Sequence, residues 1–142
     1  MKKNQIILLA IIMLVLATVR VLIPEANFNP MGAIALMGGV LFGKRIIAYL
    51  IPFGALFIGD MLMANSSPMY SDYLFSTSFL FVYLAFALII ALGMQLAKKP
   101  NFVNVIGGSL GAAIIFFLVS NFGSWLFLEM YPKTLAGLGL CM

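Results

Sequence analysis

Residues 29–45, NPMGAIALMGGVLFGKR, decide how this chain folds. Asn29-Pro30 has the cap and first-turn chemistry of a helix start. The apolar run behind it, Met31–Gly43, is 13 residues long. As a helix it covers about 20 Å, too little for about 30 Å of hydrocarbon. It is therefore either a half-helix packed inside protein or a span that borrows the preceding loop. It stops at Lys44-Arg45, one of three basic doublets; the others are Lys2-Lys3 and Lys98-Lys99. Lys and Arg mark the cytoplasmic face of a polytopic membrane protein. If Met31–Gly43 crosses, all three doublets share that face. If it does not, Lys44-Arg45 is stranded on the other side. The doublets favour a crossing.

Outward from this stretch the pattern repeats. Ile6–Leu22 reads as a first helix, with Ala17-Thr18-Val19 too poor a cleavage site for a signal peptide. Ile46–Ala64 follows, interrupted by Pro52, which removes a backbone donor and is expected to kink the helix. Asn65–Tyr73 reads as a polar turn, Leu74–Ala97 as a span, and Phe102–Leu128 as a longer one able to tilt. Residues 134–142 look like the start of a truncated last helix. The expected fold is all-α: one polytopic membrane bundle over residues 1–142, with helices near 6–22, 31–43, 46–64, 74–97 and 102–128. The N-terminus is expected in the cytoplasm.

Composition agrees. Of 142 residues, 64% are hydrophobic and 8% charged, and mean hydropathy is +1.16. A soluble domain cannot cover so much apolar surface, so the bilayer is the expected solvent. The net charge of +4 is concentrated in the doublets, which suits anionic lipid head groups and not nucleic acid. With no His and only Cys141, the common nucleophilic triads, zinc sites and disulfide frameworks are excluded. Gly38-Gly39 lacks the Lys-Ser/Thr partner of a phosphate loop. No catalytic residue, metal or cofactor is expected. Ala35, Gly39 and Gly43 recur every four residues, as do Gly107 and Gly111, a spacing that lets helices approach closely. Such seams serve internal packing or docking of another subunit.

The six charges outside the doublets are Arg20, Glu25, Asp60, Asp72, Glu129 and Lys133, and all fall in the outer half of the expected topology. Asp60 and Arg20 are each the fifteenth residue of an outward-running helix, so they share a depth. Ionisable groups there pair or line a cavity. The pair is either a site or a structural brace, and Arg20 could also simply snorkel to the head groups. Asn121, Ser124 and Trp125, at i, i+3 and i+4, form a polar-aromatic face at the same level. Asn27, Phe28 and Asn29 in the first outer loop, with Tyr131 after the fifth span, could close over it. Together these residues suit a small polar or aromatic ligand.

The blocks Asn27–Leu36 (NFNPMGAIAL), Ser120–Trp125 (SNFGSW) and Tyr131–Leu138 (YPKTLAGL), with Ile51-Pro52 leading to Asp60 and Phe81-Val82-Tyr83-Leu84, resemble a small uncharacterised bacterial membrane-protein family. That family is similar to the S components of energy-coupling-factor (ECF) transporters. The resemblance covers essentially the whole chain. It implies a six-helix protein of the bacterial cytoplasmic membrane that binds a vitamin-like molecule near the outer face. The expected partners are a membrane coupling subunit and an ATPase pair. It would make Arg20, Asn27, Asp60, Asn121, Trp125 and Tyr131 the ligand-binding positions. Two departures stand out: Ala10 and Ala17 are seven apart where S components often carry Ala-x-x-x-Ala, and relatives continue into a final helix beyond Cys141. The alternative is a structural or assembly subunit without transport activity.

Overall fold

The computed structural model describes residues 3–23, 30–43, 46–99 and 101–142. Among them the chain is all helix. The elements are α1 (Lys3–Leu22), α2 (Met31–Phe42), α3 (Ile47–Ser66), α4 (Pro68–Leu74), α5 (Thr77–Leu96), α6 (Phe102–Phe127) and α7 (Leu135–Cys141). Four of them, α1, α3, α5 and α6, are long and apolar enough to cross a membrane; α2, at 12 residues, is a shorter apolar helix. The protein is thus a multi-pass membrane protein by the length and composition of its helices.

The short helix is the centre of the bundle. α2 packs against α1, α3, α5 and α6, and Met31, Ile34, Ala35, Leu36, Gly38, Gly39 and Phe42 are all buried. Glycine makes its two tightest crossings possible. A Cβ on Gly39 would press into the Ile90 carbonyl oxygen of α5, and one on Gly93 of α5 into the Leu36 carbonyl oxygen of α2. On the other side, Gly38 leaves the room that the Pro52 ring of α3 occupies. Helix α3 runs unbroken through Pro52, so its ring fills a niche on α2. The Ala35–Gly39 seam is therefore spent inside the bundle. Of the second seam, Gly107 faces open space, while Gly108 and Ala112 are buried, Gly108 against Leu96 of α5. The packing face of α6 lies one residue along from the Gly107–Gly111 pair.

These contacts set the direction of each helix. Gly59 of α3 meets Ala17 of α1, late in both, so α1 and α3 run parallel. Gly39 meets Gly93, late in both, so α2 and α5 run parallel. Pro52, early in α3, meets Gly38, late in α2; Leu96, at the end of α5, meets Gly108, early in α6. Helices α1, α3 and α6 thus run one way and α2 and α5 the other. One end of the bundle carries Lys3, the α2–α3 connection and Lys98-Lys99. The opposite end carries Arg20, Asp60, Asp72, Glu129 and Lys133.

The core joins α2 to Met13 and Ala17 of α1, Ala48, Ala55 and Leu56 of α3, and Phe86, Ile89 and Ile90 of α5. Around it α1 and α6 leave large apolar residues exposed, among them Ile7, Leu8, Ile11, Leu110, Ile114 and Phe117. In water such faces would aggregate; in lipid they need no cover.

Two boundaries differ from the sequence reading. Residues 65–73 are not simply a turn: Pro68 occupies the first turn of α4, where its missing N–H costs nothing. In consequence the fourth long apolar stretch becomes helical only at Thr77, after Ser76.

Candidate functional site

Asp60 lies on the face of α3 turned toward the bundle and is 2% exposed. A carboxylate at that depth is costly to bury unless its charge is matched and its lone pairs are filled. Three elements supply this. Arg20, two residues from the end of α1, donates from Nη1 to Asp60 Oδ1 at 3.0 Å. Tyr70, from α4, donates its hydroxyl to the same oxygen at 2.7 Å. Tyr83, from α5, donates to Oδ2 at 2.9 Å. Arg20 Nη2 closes the circuit by donating to Tyr70 Oη at 3.3 Å, with the guanidinium carbon 5.5 Å from the Tyr70 ring centre. Burial, then the hydrogen bond to Asp60, push the Tyr70 phenol well above its ordinary value, so it stays protonated and donating.

Geometry explains why Tyr83 reaches Asp60. It lies six residues into α5, and Asp60 six residues before the end of antiparallel α3; each is about 9 Å deep. Aromatic rings continue from this point. Tyr49 and Phe53, at i and i+4 on α3, are stacked at 6.2 Å, and Phe53 stacks on Tyr83 at 5.7 Å. Phe79 lies 5.3 Å from both Tyr83 and Tyr73, and Tyr70 6.3 Å from Tyr73. Helices α3 and α5 each pack on α2 and touch one another little, with the Phe53–Tyr83 ring pair and the Tyr83–Asp60 bond between them. The result is a charge-neutral polar knot at the head of an aromatic wall, with α4 across its end.

Of the expected positions, Arg20 and Asp60 come together. Asn27 lies outside the described residues. Asn121, Trp125 and Tyr131 belong to a second arrangement, on the other side of α5. There Phe81 of α5 packs on Phe122 and Phe127 of α6, and a Cβ on Gly123 would strike its ring. Trp125 donates its indole N–H to the Pro132 carbonyl at 2.9 Å. Lys133 Nζ turns back on the carbonyls of Trp125 and of Leu128, the latter at 2.6 Å, closing the C-terminus of α6. Thr134 caps α7 by accepting from the Gly137 N–H at 3.1 Å. Cys141 Sγ then donates to the Asn121 carbonyl at 3.3 Å, which lays α7 back along α6. Tyr131 is half-buried in the intervening turn. These residues form a hook; among the described residues, the partners of Asp60 are Arg20, Tyr70 and Tyr83.

Tyr70 and Tyr83 were not among the expected positions. Tyr83 was findable from its depth, which equals that of Asp60. Tyr70 is hidden in the sequence because Asn65–Tyr73 reads as a polar turn, which has no face to aim a side chain. Among the described residues no three His, Cys, Asp or Glu side chains gather in a way that could hold a metal ion.

Compared with known families, the whole chain, residues 1–142, matches one described as a family of unknown function, DUF6580. No curated protein and no solved structure matches it.

Proposed function

The chain belongs to this family of unknown function, DUF6580, and we propose that it is a substrate-binding membrane subunit that captures a small organic molecule at its outer end. In this reading the protein resides in the bacterial cytoplasmic membrane with its basic end inside. Helix α2 makes the fifth crossing, in the manner of an ECF S component, and the partners are a coupling subunit with an ATPase pair. One observation carries the proposal. Four elements, α1, α3, α4 and α5, meet at a single buried carboxylate at the end opposite Lys3 and Lys98-Lys99. Burying an ion pair at this depth contributes little or nothing to stability compared with packed apolar side chains. A function that needs polar groups inside the bundle explains why they are there. The aromatic wall beside them supplies the apolar surface that small-molecule sites use.

A second reading has its own observation. Both Asp60 oxygens are engaged, so the knot also suits a brace that ties α1, α4 and α5 to α3 in a structural or assembly subunit. Purification of the full chain in mild detergent, with mass spectrometry of retained small molecules and co-purified proteins, separates the two. A retained organic molecule and an ATPase pair are expected. Recovery without ligand, in company with cell-shape or secretion machinery, would replace this reading with the second.

A further inference from the structure

The Arg20–Asp60 pair is lopsided. The Arg20 side chain keeps 20% of its surface exposed and the Asp60 side chain 3%. Asp60 Oδ1 already accepts from Arg20 and Tyr70, and Oδ2 from Tyr83. A cation arriving at this end meets the guanidinium first and finds the carboxylate sealed behind it. An anion meets the opposite situation. A guanidinium carries five N–H groups. Among the described residues Arg20 engages two partners, Asp60 through Nη1 and Tyr70 through Nη2, and the second bond is the longest in the knot.

We propose that the edge of Arg20 left unengaged among the described residues is the recognition element of the site. It takes one oxyanionic group, a carboxylate or a phosphate, of the bound molecule, while Asp60 positions Arg20 and binds no cation. This deepens the binding-subunit reading and rests on it. The donor fork of a guanidinium matches two oxygens of a planar or tetrahedral oxyanion. Its position is set in advance, by the bond to Asp60 and by the Tyr70 ring beneath the guanidinium carbon, so little ordering remains for the ligand to bring about. Taking Nη2 from Tyr70 breaks a 3.3 Å bond and leaves the 2.7 Å bond from Tyr70 to Asp60 in place. Tyr73 and Phe79, in ring contact with Tyr70, offer edges and faces to an apolar body attached to the anion.

Three probes with one ring and different charge test this on the full chain in delipidated detergent micelles: benzoate, benzylammonium and benzyl alcohol. Titration calorimetry is expected to rank benzoate at least tenfold above the other two. Arg20→Gln should lose that preference, and Arg20→Lys, which keeps the charge without the fork, should lose several-fold. The ranking of the three probes on the wild type needs no substitution, so the test stands if Arg20→Gln does not fold. Benzylammonium binding as tightly as benzoate, no benzoate binding at millimolar concentration, or an undiminished benzoate preference in a folded Arg20→Gln would overturn the assignment. A second arm uses nanodiscs of phosphatidylglycerol and native mass spectrometry. One lipid held by the wild type and released by Arg20→Lys, with benzoate excluded, would put the oxyanion on a lipid. That outcome keeps this inference and removes the binding-subunit reading. ATPase co-purification without benzoate binding would do the reverse.

Discussion

The knot around Asp60 and the hook at the end of α6 occupy the same end of the bundle, yet they are built on opposite principles. Every bond in the knot joins different elements, with partners 10 to 50 positions apart, and two of its four members are charged. The hook is made by α6, α7 and the turn between them, largely from backbone carbonyls, with most partners 3 to 8 residues apart. The hook finishes a helix end, a need that any α-helix has. The knot meets no such need. It places charge where an apolar side chain would pack without penalty, and this contrast makes the knot the candidate site.

Breaking each region should separate them by size and reach of effect. Asp60→Ala leaves Arg20 and two hydroxyls without their partner inside the bundle and should cost about 3–5 kcal/mol. Thermal unfolding in detergent would register the loss, and hydrogen exchange should rise in α1, α3 and α5 together. Tyr83→Phe removes one bond to a charged group, a loss of about 1.5–3 kcal/mol by the same assay, with α4 still latched by Tyr70. In the hook, Thr134→Ala should cost about 1 kcal/mol through loss of the α7 cap. Its effect should stay local: maleimide labelling of Cys141 accelerates as α7 lifts from Asn121, while exchange in α1 and α3 does not change. Accelerated exchange throughout the bundle would mean that the two regions are one cooperative unit.

The smallest effect expected is a pH dependence. The Tyr70 phenol is held above its ordinary value of about 10.0 by burial and by Asp60. The unfolded chain therefore releases this proton first as pH rises. The stabilisation is complete below pH 10 and declines above it. Tyr70→Phe should flatten part of that decline relative to wild type; identical alkaline profiles would show that the phenol does not take part in the knot's stability.

How much of this was legible beforehand differs between the regions for physical reasons. Arg20 and Asp60 could be paired from sequence because depth along a helix is linear in residue number and the doublets set the ends. The central position of α2 was not legible, because its length allowed a half-helix or a span. Gly93, its partner on α5, stands alone in its stretch and gave no repeat to notice. Asn121 and Trp125 shared a helical face, as expected, but facing says nothing of the partner. Their neighbours proved to be Pro132 and Cys141, through a turn that Lys133 closes. Tyr83 carries a depth signal that is readable, whereas Tyr70 needs α4, and Asn65–Tyr73 reads from the sequence as a polar turn.

The central claim is that the knot is a site and not a brace, and one combined variant tests it most directly. Arg20→Met with Asp60→Leu, Tyr70→Phe and Tyr83→Phe replaces the ion pair by apolar side chains, a change that is often neutral or stabilising for a buried pair, and leaves neither tyrosine hydroxyl without its acceptor. Mass spectrometry of the small molecules retained by the purified variant, beside its unfolding temperature, is the measurement. The account predicts an unfolding temperature at or above that of wild type, with the retained organic molecule lost. A variant that unfolds as the wild type does and still carries its ligand would contradict it.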